Sequence, residues 1–289
     1  MASLKELKNK VSVIESTKKV TSAMKLVAGV KLRRAKQKAI ASRMYASELD
    51  NMLSKINMEL LDIEVDLFSG RKNVETVLLL VFGSDIGLCG NFNYLVNKNA
   101  KKTVSTIYEE GKKVKILCVG NKLLNSLKST LKDGDTIELV EKFYNSKNIL
   151  EKSKELSEKI IFYYRSGLVD KVSVVYAAYR SAMRVDVEMK NIIPIVCNPN
   201  EDKTIAIFEP SADKILNDLL PHNIAIQIYQ CALESIASEQ NARMTSMDSA
   251  TRNADTLLAD FKTRYNRGRQ LKITQELTEI IAGAKAVEG

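Results

Sequence analysis

Histidine and cysteine are too scarce in this 289-residue chain for the commoner metal and redox chemistries. Cys89, Cys118, Cys197 and Cys231 stand at least 29 residues apart, and His222 is the single histidine. Local CxxC or paired-histidine sites are thereby excluded, and buried free thiols are the expectation. A Ser-His-Asp triad would need His222, which follows Pro221 in a stretch with no nucleophile elbow. Long apolar runs are missing too: the longest, such as Val77 to Phe82, reach about six residues against the roughly 18 of a bilayer-spanning helix. The opening Met1-Ala2-Ser3-Leu4-Lys5-Glu6 carries neither an apolar signal core nor an Arg/Ser-rich leader, so neither secretion nor organelle import is expected. Prolines occur only at 194, 199, 210 and 221, and the first 69 residues hold one glycine, Gly29. Chain breakers are therefore concentrated in the middle, and the plan reads as long helix, α/β middle, long helix.

What is present supports that plan. Residues 1–43 hold 12 Lys/Arg against Glu6 and Glu15, an excess of ten out of a net +9, so the remainder is close to neutral. From Leu4 a heptad runs for nine repeats, with Leu4, Val11, Lys18, Lys25, Leu32, Ala39, Ala46, Leu53 and Leu60 at a. Leu7, Ile14, Thr21, Ala28, Ala35, Ser42, Leu49, Ile56 and Ile63 follow at d. A second stripe runs Tyr229, Leu233, Ile236, Gln240, Arg243, Met247, Ala250, Ala254, Leu257, Phe261. A helix from about Leu4 to Leu67 would be roughly 95 Å long, and one from His222 to Val287 similar, against a radius of gyration of about 19 Å for a globule of this length. Two such helices pair best with each other, antiparallel. Charged and small residues occupy their seam, so burial there is thin and a partner that encloses the pair is expected.

Strands are expected at Val74–Phe82, Val114–Val119, Ile137–Phe143, Lys171–Tyr179, Val185–Ile195 and Thr204–Phe208. Helices are expected at Tyr94–Glu110, Asn121–Leu131 and Ile149–Arg165, which gives an α/β sheet mixed at its later edge. The turn Gly83-Ser84-Asp85-Ile86-Gly87-Leu88-Cys89-Gly90-Asn91-Phe92-Asn93 precedes a helix as a phosphate loop does. Its glycine spacing fits neither the dinucleotide nor the nucleotide fingerprint, and a structural turn is the favoured reading. The basic first helix has only Tyr45 to stack on a base, so nucleic-acid binding is not expected.

Four segments resemble the gamma subunit of F-type ATP synthases of the bacterial type. They are Lys18-Lys19-Val20-Thr21-Ser22-Ala23-Met24-Lys25-Leu26-Val27-Ala28-Gly29-Val30-Lys31-Leu32-Arg33-Arg34-Ala35, Gly87-Leu88-Cys89-Gly90-Asn91-Phe92-Asn93, Ala237-Ser238-Glu239-Gln240-Asn241-Ala242-Arg243-Met244 and Ile273-Thr274-Gln275-Glu276-Leu277-Thr278-Glu279-Ile280-Ile281-Ala282-Gly283-Ala284. The resemblance implies an α/β fold class: a long antiparallel two-helix coiled coil of the terminal helices plus a central Rossmann-like domain. The expected division is 1–69 (first coiled-coil helix), 70–210 (α/β foot) and 211–289 (second coiled-coil helix). It further implies a rotor of the central stalk that couples proton transport to ATP synthesis or hydrolysis. Its partners would be the encircling alpha and beta subunits, the epsilon subunit and the membrane c-ring, at the cytoplasmic face of the inner membrane. The chain itself would have no catalytic residue, cofactor or metal. By the same resemblance Met24, Lys25, Glu239, Arg243, Gln270, Thr274 and Glu276 are expected to touch the catalytic ring, with the tip from Ile273 to Val287 seated in a bearing. Gly29 and Gly268 depart from the family's more usual alanine, each costing a helix about 1 kcal/mol.

Overall fold

The computed structural model describes residues 4–55, 66–71, 73–144, 148–181, 184–195 and 212–288. Helix α1 spans Leu4–Lys55, and every heptad core position from Leu4 to Leu53 is buried or half-buried while most of their neighbours are exposed. Ile56, Leu60, Ile63 and the strand expected at Thr204–Phe208 lie outside the described residues. A short helix α2, Asp66–Ser69, follows.

The middle of the chain alternates as the sequence reading expects: β1 Thr76–Phe82, α3 Phe92–Glu109, β2 Lys113–Val119, α4 Asn121–Lys128, β3 Thr136–Val140, α5 Ile149–Arg165, β4 Lys171–Ala178 and β5 Asp186–Ile193. The strand order is β3-β2-β1-β4-β5. The first four strands are parallel and β5 returns antiparallel to β4. Crossover helices cover both faces, which is why β1 is an unbroken apolar run rather than an alternating one. Val77, Leu79 and Val81 face Phe92, Val96, Ala100 and Val104 of α3 with Leu123 and Leu127 of α4. Leu78, Leu80 and Phe82 face α5 and the start of the last helix.

That last helix, α6, spans Ala212–Glu288 and contains Pro221. The sequence reading places the second coiled-coil segment at 211–289 and measures its helix from His222; the structure starts the helix at Ala212, ahead of Pro221. A proline inside a helix ordinarily costs about 3 kcal/mol through a lost hydrogen bond and a clash with the carbonyl four residues earlier. Here that carbonyl belongs to Asn217, which is exposed to water. Leu216, Leu220 and Ile224 are each 0–1% exposed, and burying each of three such side chains contributes about 1.5–3 kcal/mol, enough to offset the proline.

A second correction concerns the face of α6. Between Asn223 and Asn241 nearly every residue is buried, not one stripe. Ile224, Ile228, Cys231 and Ala232 pack on the sheet, whereas Ile226 packs on Ala46 and Leu49 of α1. A helix held between two layers needs two apolar faces.

Close contacts divide the chain into two units: the described residues up to Ala28 with those from Arg243 onward, and those from Gly29 to Ala242. In the first unit α1 and α6 pair antiparallel. Leu4 meets Gly268, where an added Cβ would stand 3.2 Å from Leu4 Cδ2. Lys10 lies over Phe261, Lys18 pairs with Asp255, Thr21 with Thr251 and Lys25 with Asp248. One number rises as the other falls. An alanine at 268 would require the end of the Leu4 side chain to give by a few tenths of an ångström.

Candidate functional site

The candidate site is the surface of the paired helices and the free end of α6. Core positions in the first unit are thin: Ala28 at 1%, Met247 at 4% and Ala254 at 7% exposure are the buried apolar residues that the seam offers there. Thr251 Oγ1 donates to Met247 O at 2.7 Å and lies 2.9 Å from Thr21 Oγ1 across the seam. Lys18 and Lys25, expected as costly buried charges, instead reach the edge. Their side chains are 40% and 43% exposed, with Lys18 Nζ and Asp255 Oδ1 2.5 Å apart and Lys25 Nζ and Asp248 Oδ1 also 2.5 Å apart. Long stems cover apolar surface while the ammonium groups reach the wet edge, which keeps the desolvation penalty small.

Asp248 is held below its ordinary range, first by the hydrogen bond from Lys25 and, against the opposing effect of burial, by Arg252 one turn along. Glu15 is lowered likewise by Lys262. Solvent screens such exposed pairs, so each is weak. Charge complementarity here sets helix register and direction more than strength. Asp248, Thr251 and Asp255 were missed by the sequence reading, although a signal existed. Lys18 and Lys25 are seven apart, as are Asp248 and Asp255, which is the spacing that two antiparallel heptads need to pair them.

The stripe on α6 also needs correction. Leu257 is 49% exposed; the seam continues through Leu258, Phe261, Tyr265 and Gly268, all half-buried. Thr251 stands in the stripe ahead of Ala254, so the 4,3 spacing runs 247, 251, 254, 258, 261. The polar Thr251 hid that phase from a hydrophobic count.

The residues expected to touch a catalytic ring fall into separate groups. Met24 and Lys25 are half-buried on α1. Glu239 and Arg243 are buried on α6, at 6% and 7% exposure. Gln270, Thr274 and Glu276 are exposed beyond the seam. Thr274 Oγ1 donates to Gln270 O at 3.0 Å, placing these two on one face, and Glu276 lies 3.6 Å from Lys272 on another. From Arg269 to Gly283 every α6 residue is exposed, including Leu271, Ile273, Leu277, Ile280 and Ile281 at 48–66%.

The glycine turn after β1 is braced by internal bonds at both ends. Ser84, fully buried, has its N–H on Asn93 Oδ1 at 3.3 Å, and Asn93 Nδ2 donates to Ser84 Oγ at 2.8 Å. Gly83 N donates to Val119 O at 2.7 Å and Lys122 N to Ser84 O at 3.1 Å. Tyr144 donates to Gly83 O at 2.7 Å. Burial, and after it the charges of Glu239 and Asp85, push the Tyr144 phenol well above its ordinary range. The N–H groups of Gly83, Ser84 and Phe92 are thus spent on internal bonds, in keeping with a structural turn.

Among the described residues no three His, Cys, Asp or Glu side chains gather as a metal would need, and no helix is long and apolar enough to cross a membrane. Cys89, Cys118 and Cys231 are buried free thiols; Cys197 lies outside the described residues.

Two terminal helices that pair antiparallel, with a mixed α/β sheet in the middle third of the chain, define the class. Comparison with known proteins agrees over the full length. The family model described as ATP synthase matches residues 3–287. The "ATP synthase gamma chain" of Beijerinckia indica is 37% identical over 99% of this chain and 100% of its own. That of Chlorobium phaeobacteroides is 39% identical over the whole of both. Among solved structures, a chain of the Euglena gracilis mitochondrial ATP synthase (OSCP/F1/c-ring) has a TM-score of 0.62 at 18% identity, covering 98% of this chain and 94% of its own. A chain of the Tetrahymena thermophila mitochondrial ATP synthase (central stalk/c-ring) has 0.58 at 20%, covering 80% and 99%. At those identities the structures speak for the fold. The chain belongs to the ATP synthase gamma-chain family.

Proposed function

We propose that this chain is the central-stalk rotor of an F-type ATP synthase, transmitting torque between a membrane c-ring and a ring of alpha and beta subunits. It carries no catalytic group of its own in this reading; it couples proton transport to ATP synthesis or hydrolysis by turning. The supporting observation is the free end of α6. Beyond Gly268, opposite Leu4, the helix continues with its apolar side chains in water. A lone helix of about 20 residues is marginal by itself, and its stability ordinarily comes from a surface packed against it. An encircling sleeve supplies that surface.

A rotating shaft cannot key into deep pockets without being trapped. Exposed polar and charged side chains on the outer face of the shaft make individually weak contacts that can be exchanged as it turns, and the basic first helix is drawn to an acidic sleeve. We assign Met24, Lys25, Glu239, Arg243, Gln270, Thr274 and Glu276 to contacts with that ring. Residues 1–69 and 211–289 serve as shaft and 70–210 as foot on the epsilon subunit and c-ring. The complex would sit at the cytoplasmic face of a bacterial inner membrane, held there through its partners.

Reconstitution with alpha and beta subunits tests the reading. Truncation after Gln270 is expected to weaken ATPase without abolishing it, because the seam ends at Gly268. Removal of residues 1–43 should uncouple or disassemble the complex. Coupled synthesis that survives the second deletion would defeat the assignment.

A further inference from the structure

Within the unit from Gly29 to Ala242, α1 grips α6 across a seam of small side chains. Ala35, Ala39, Ser42 and Ala46 are each 5–7% exposed, and Ser42 Oγ is buried with no hydrogen-bond partner among the described residues. Such a seam buries little area and resists sliding poorly, because one alanine fits the next alanine's place. Polar contacts break that degeneracy: Tyr45 Oη lies 2.9 Å from His222 Nε2 at the exposed edge, and a charged pair sits deeper. Arg43 Nε and Nη2 both donate to Glu234 Oε1, at 2.9 and 2.8 Å. The two ends differ in setting: the Glu234 side chain is 6% exposed, whereas that of Arg43 is 50% exposed. A carboxylate out of water is tolerated only where its partner stands, so the pair has one low-energy position along the helices.

The surroundings connect this pair to the sheet. One turn before Glu234, Cys231 is packed in the core with Tyr176 of β4, and burial, with the Glu234 charge adding to it, pushes the Cys231 thiol up to about 12. Tyr176 donates to Glu188 Oε2 on β5 at 3.4 Å, and Glu188 Oε1 is held by Arg180 at 3.0 and 2.5 Å. Ser235, next to Glu234, donates to Phe82 O at the end of β1 at 3.4 Å. Helix α6 is therefore fixed to the sheet on one side, and Glu234 is its buried charged hold on α1, beside the exposed contact of His222 with Tyr45.

We propose that Arg43 and Glu234 form a register pin: positioning residues that stop α1 from slipping along or turning about α6 while torque passes through the pair. The proposal rests on the rotor reading above. An apolar pair of similar length would fill the same space without fixing one register, so stability and register separate in a variant.

The test uses complexes assembled with alpha, beta and epsilon subunits and a c-ring in sealed vesicles. ATPase is measured with an uncoupler present, and proton pumping per ATP is followed as the gradient builds. Glu234→Gln, Arg43→Met and the double Arg43→Met/Glu234→Met variant are compared with Arg43→Lys. The double variant keeps the comparison open if a single change fails to fold. Assembly and uncoupled ATPase should match wild type in the double variant, while pumping against the full gradient falls at least about fivefold, the low end of ordinary coupling between sites. Arg43→Lys should lie between, because one ammonium cannot reproduce the fork.

Wild-type pumping by the double variant at full gradient would overturn the pin and leave the rotor reading standing. Equal losses with and without a gradient would overturn it as well, showing a structural contact only. A wild-type complex that neither assembles nor pumps would instead defeat the rotor reading, and the pin with it.

Discussion

Asp170 offers the sharpest quantitative test of how the α/β sheet is held. It is 9% exposed and lies just before β4, where Oδ2 accepts the backbone N–H groups of Glu75 and Thr76, both at 2.9 Å. Oδ1 accepts Arg71 Nη1 at 2.8 Å, and Arg71 also donates to Tyr164 O at 2.6 Å while lying over the Tyr164 ring. One carboxylate thus ties the start of β1 to the start of β4. In Asp170→Ala two backbone donors lose charged acceptors at about 1.5 kcal/mol each, and the half-exposed Arg71 pair adds about 1, for a total of about 4 kcal/mol. At about 2–4 °C per kcal/mol for a unit of this size, Tm should fall by about 8–16 °C.

Near-ultraviolet circular dichroism gives the melt, and hydrogen exchange at Glu75 and Thr76 reports the site. Burial alone would raise the Asp170 pKa, but the N–H groups of Thr76 and Glu75 and the Arg71 charge more than offset it, so the folded value lies below the ordinary one. A depressed folded pKa contributes stability above the unfolded value of about 3.9, and this is lost as pH falls through the folded value. The gap between wild type and Asp170→Ala should therefore be constant from about pH 5 upward and close below about pH 4. A Tm drop under about 3 °C, or a gap unchanged at pH 3, would refute the reasoning.

Gly120 has φ +100°, and an added Cβ would stand 2.8 Å from both Gly83 C and Ser84 N. Gly120→Ala should cost about 2–4 kcal/mol, from backbone strain plus overpacking, seen as a lower urea midpoint at unchanged m. The Cys118 thiol, raised to about 12 by burial and by Asp85, and Cys231, raised similarly, should both resist iodoacetamide at pH 8 in the folded chain and react once urea unfolds it; rapid native labelling of either would contradict their burial. Lys18→Ala and Lys25→Ala should each change stability of the isolated chain by under about 1 kcal/mol. The same two changes should slow association with the alpha and beta ring at low salt and matter little at high salt, which stopped-flow mixing would show.

Periodicity was sufficient for the elements themselves. Heptads at Leu4 through Leu53 fixed α1 and its buried face, and runs such as Val77–Phe82 marked strands buried on both sides, because side-chain spacing repeats with backbone geometry. Those patterns are local, so one chain carries them openly. The four recognisable segments also carried the family assignment, and with it the expected ring contacts.

Tertiary contact decided what periodicity could not. Pro221 sits inside α6 because Leu216, Leu220 and Ile224 find the sheet, and α6 is buried nearly all round from Asn223 to Asn241 because α1 and the sheet flank it. Thr251 and Leu258 rather than Leu257 continue the seam, since a polar residue bonded to Thr21 keeps the phase that hydrophobicity alone loses. The same holds for Arg43 with Glu234, 191 residues apart, and for Asp170 with the amides of β1. The free energy of a buried charge depends on what stands within about 3 Å of it, and that neighbour is chosen only when distant parts of the chain are brought together.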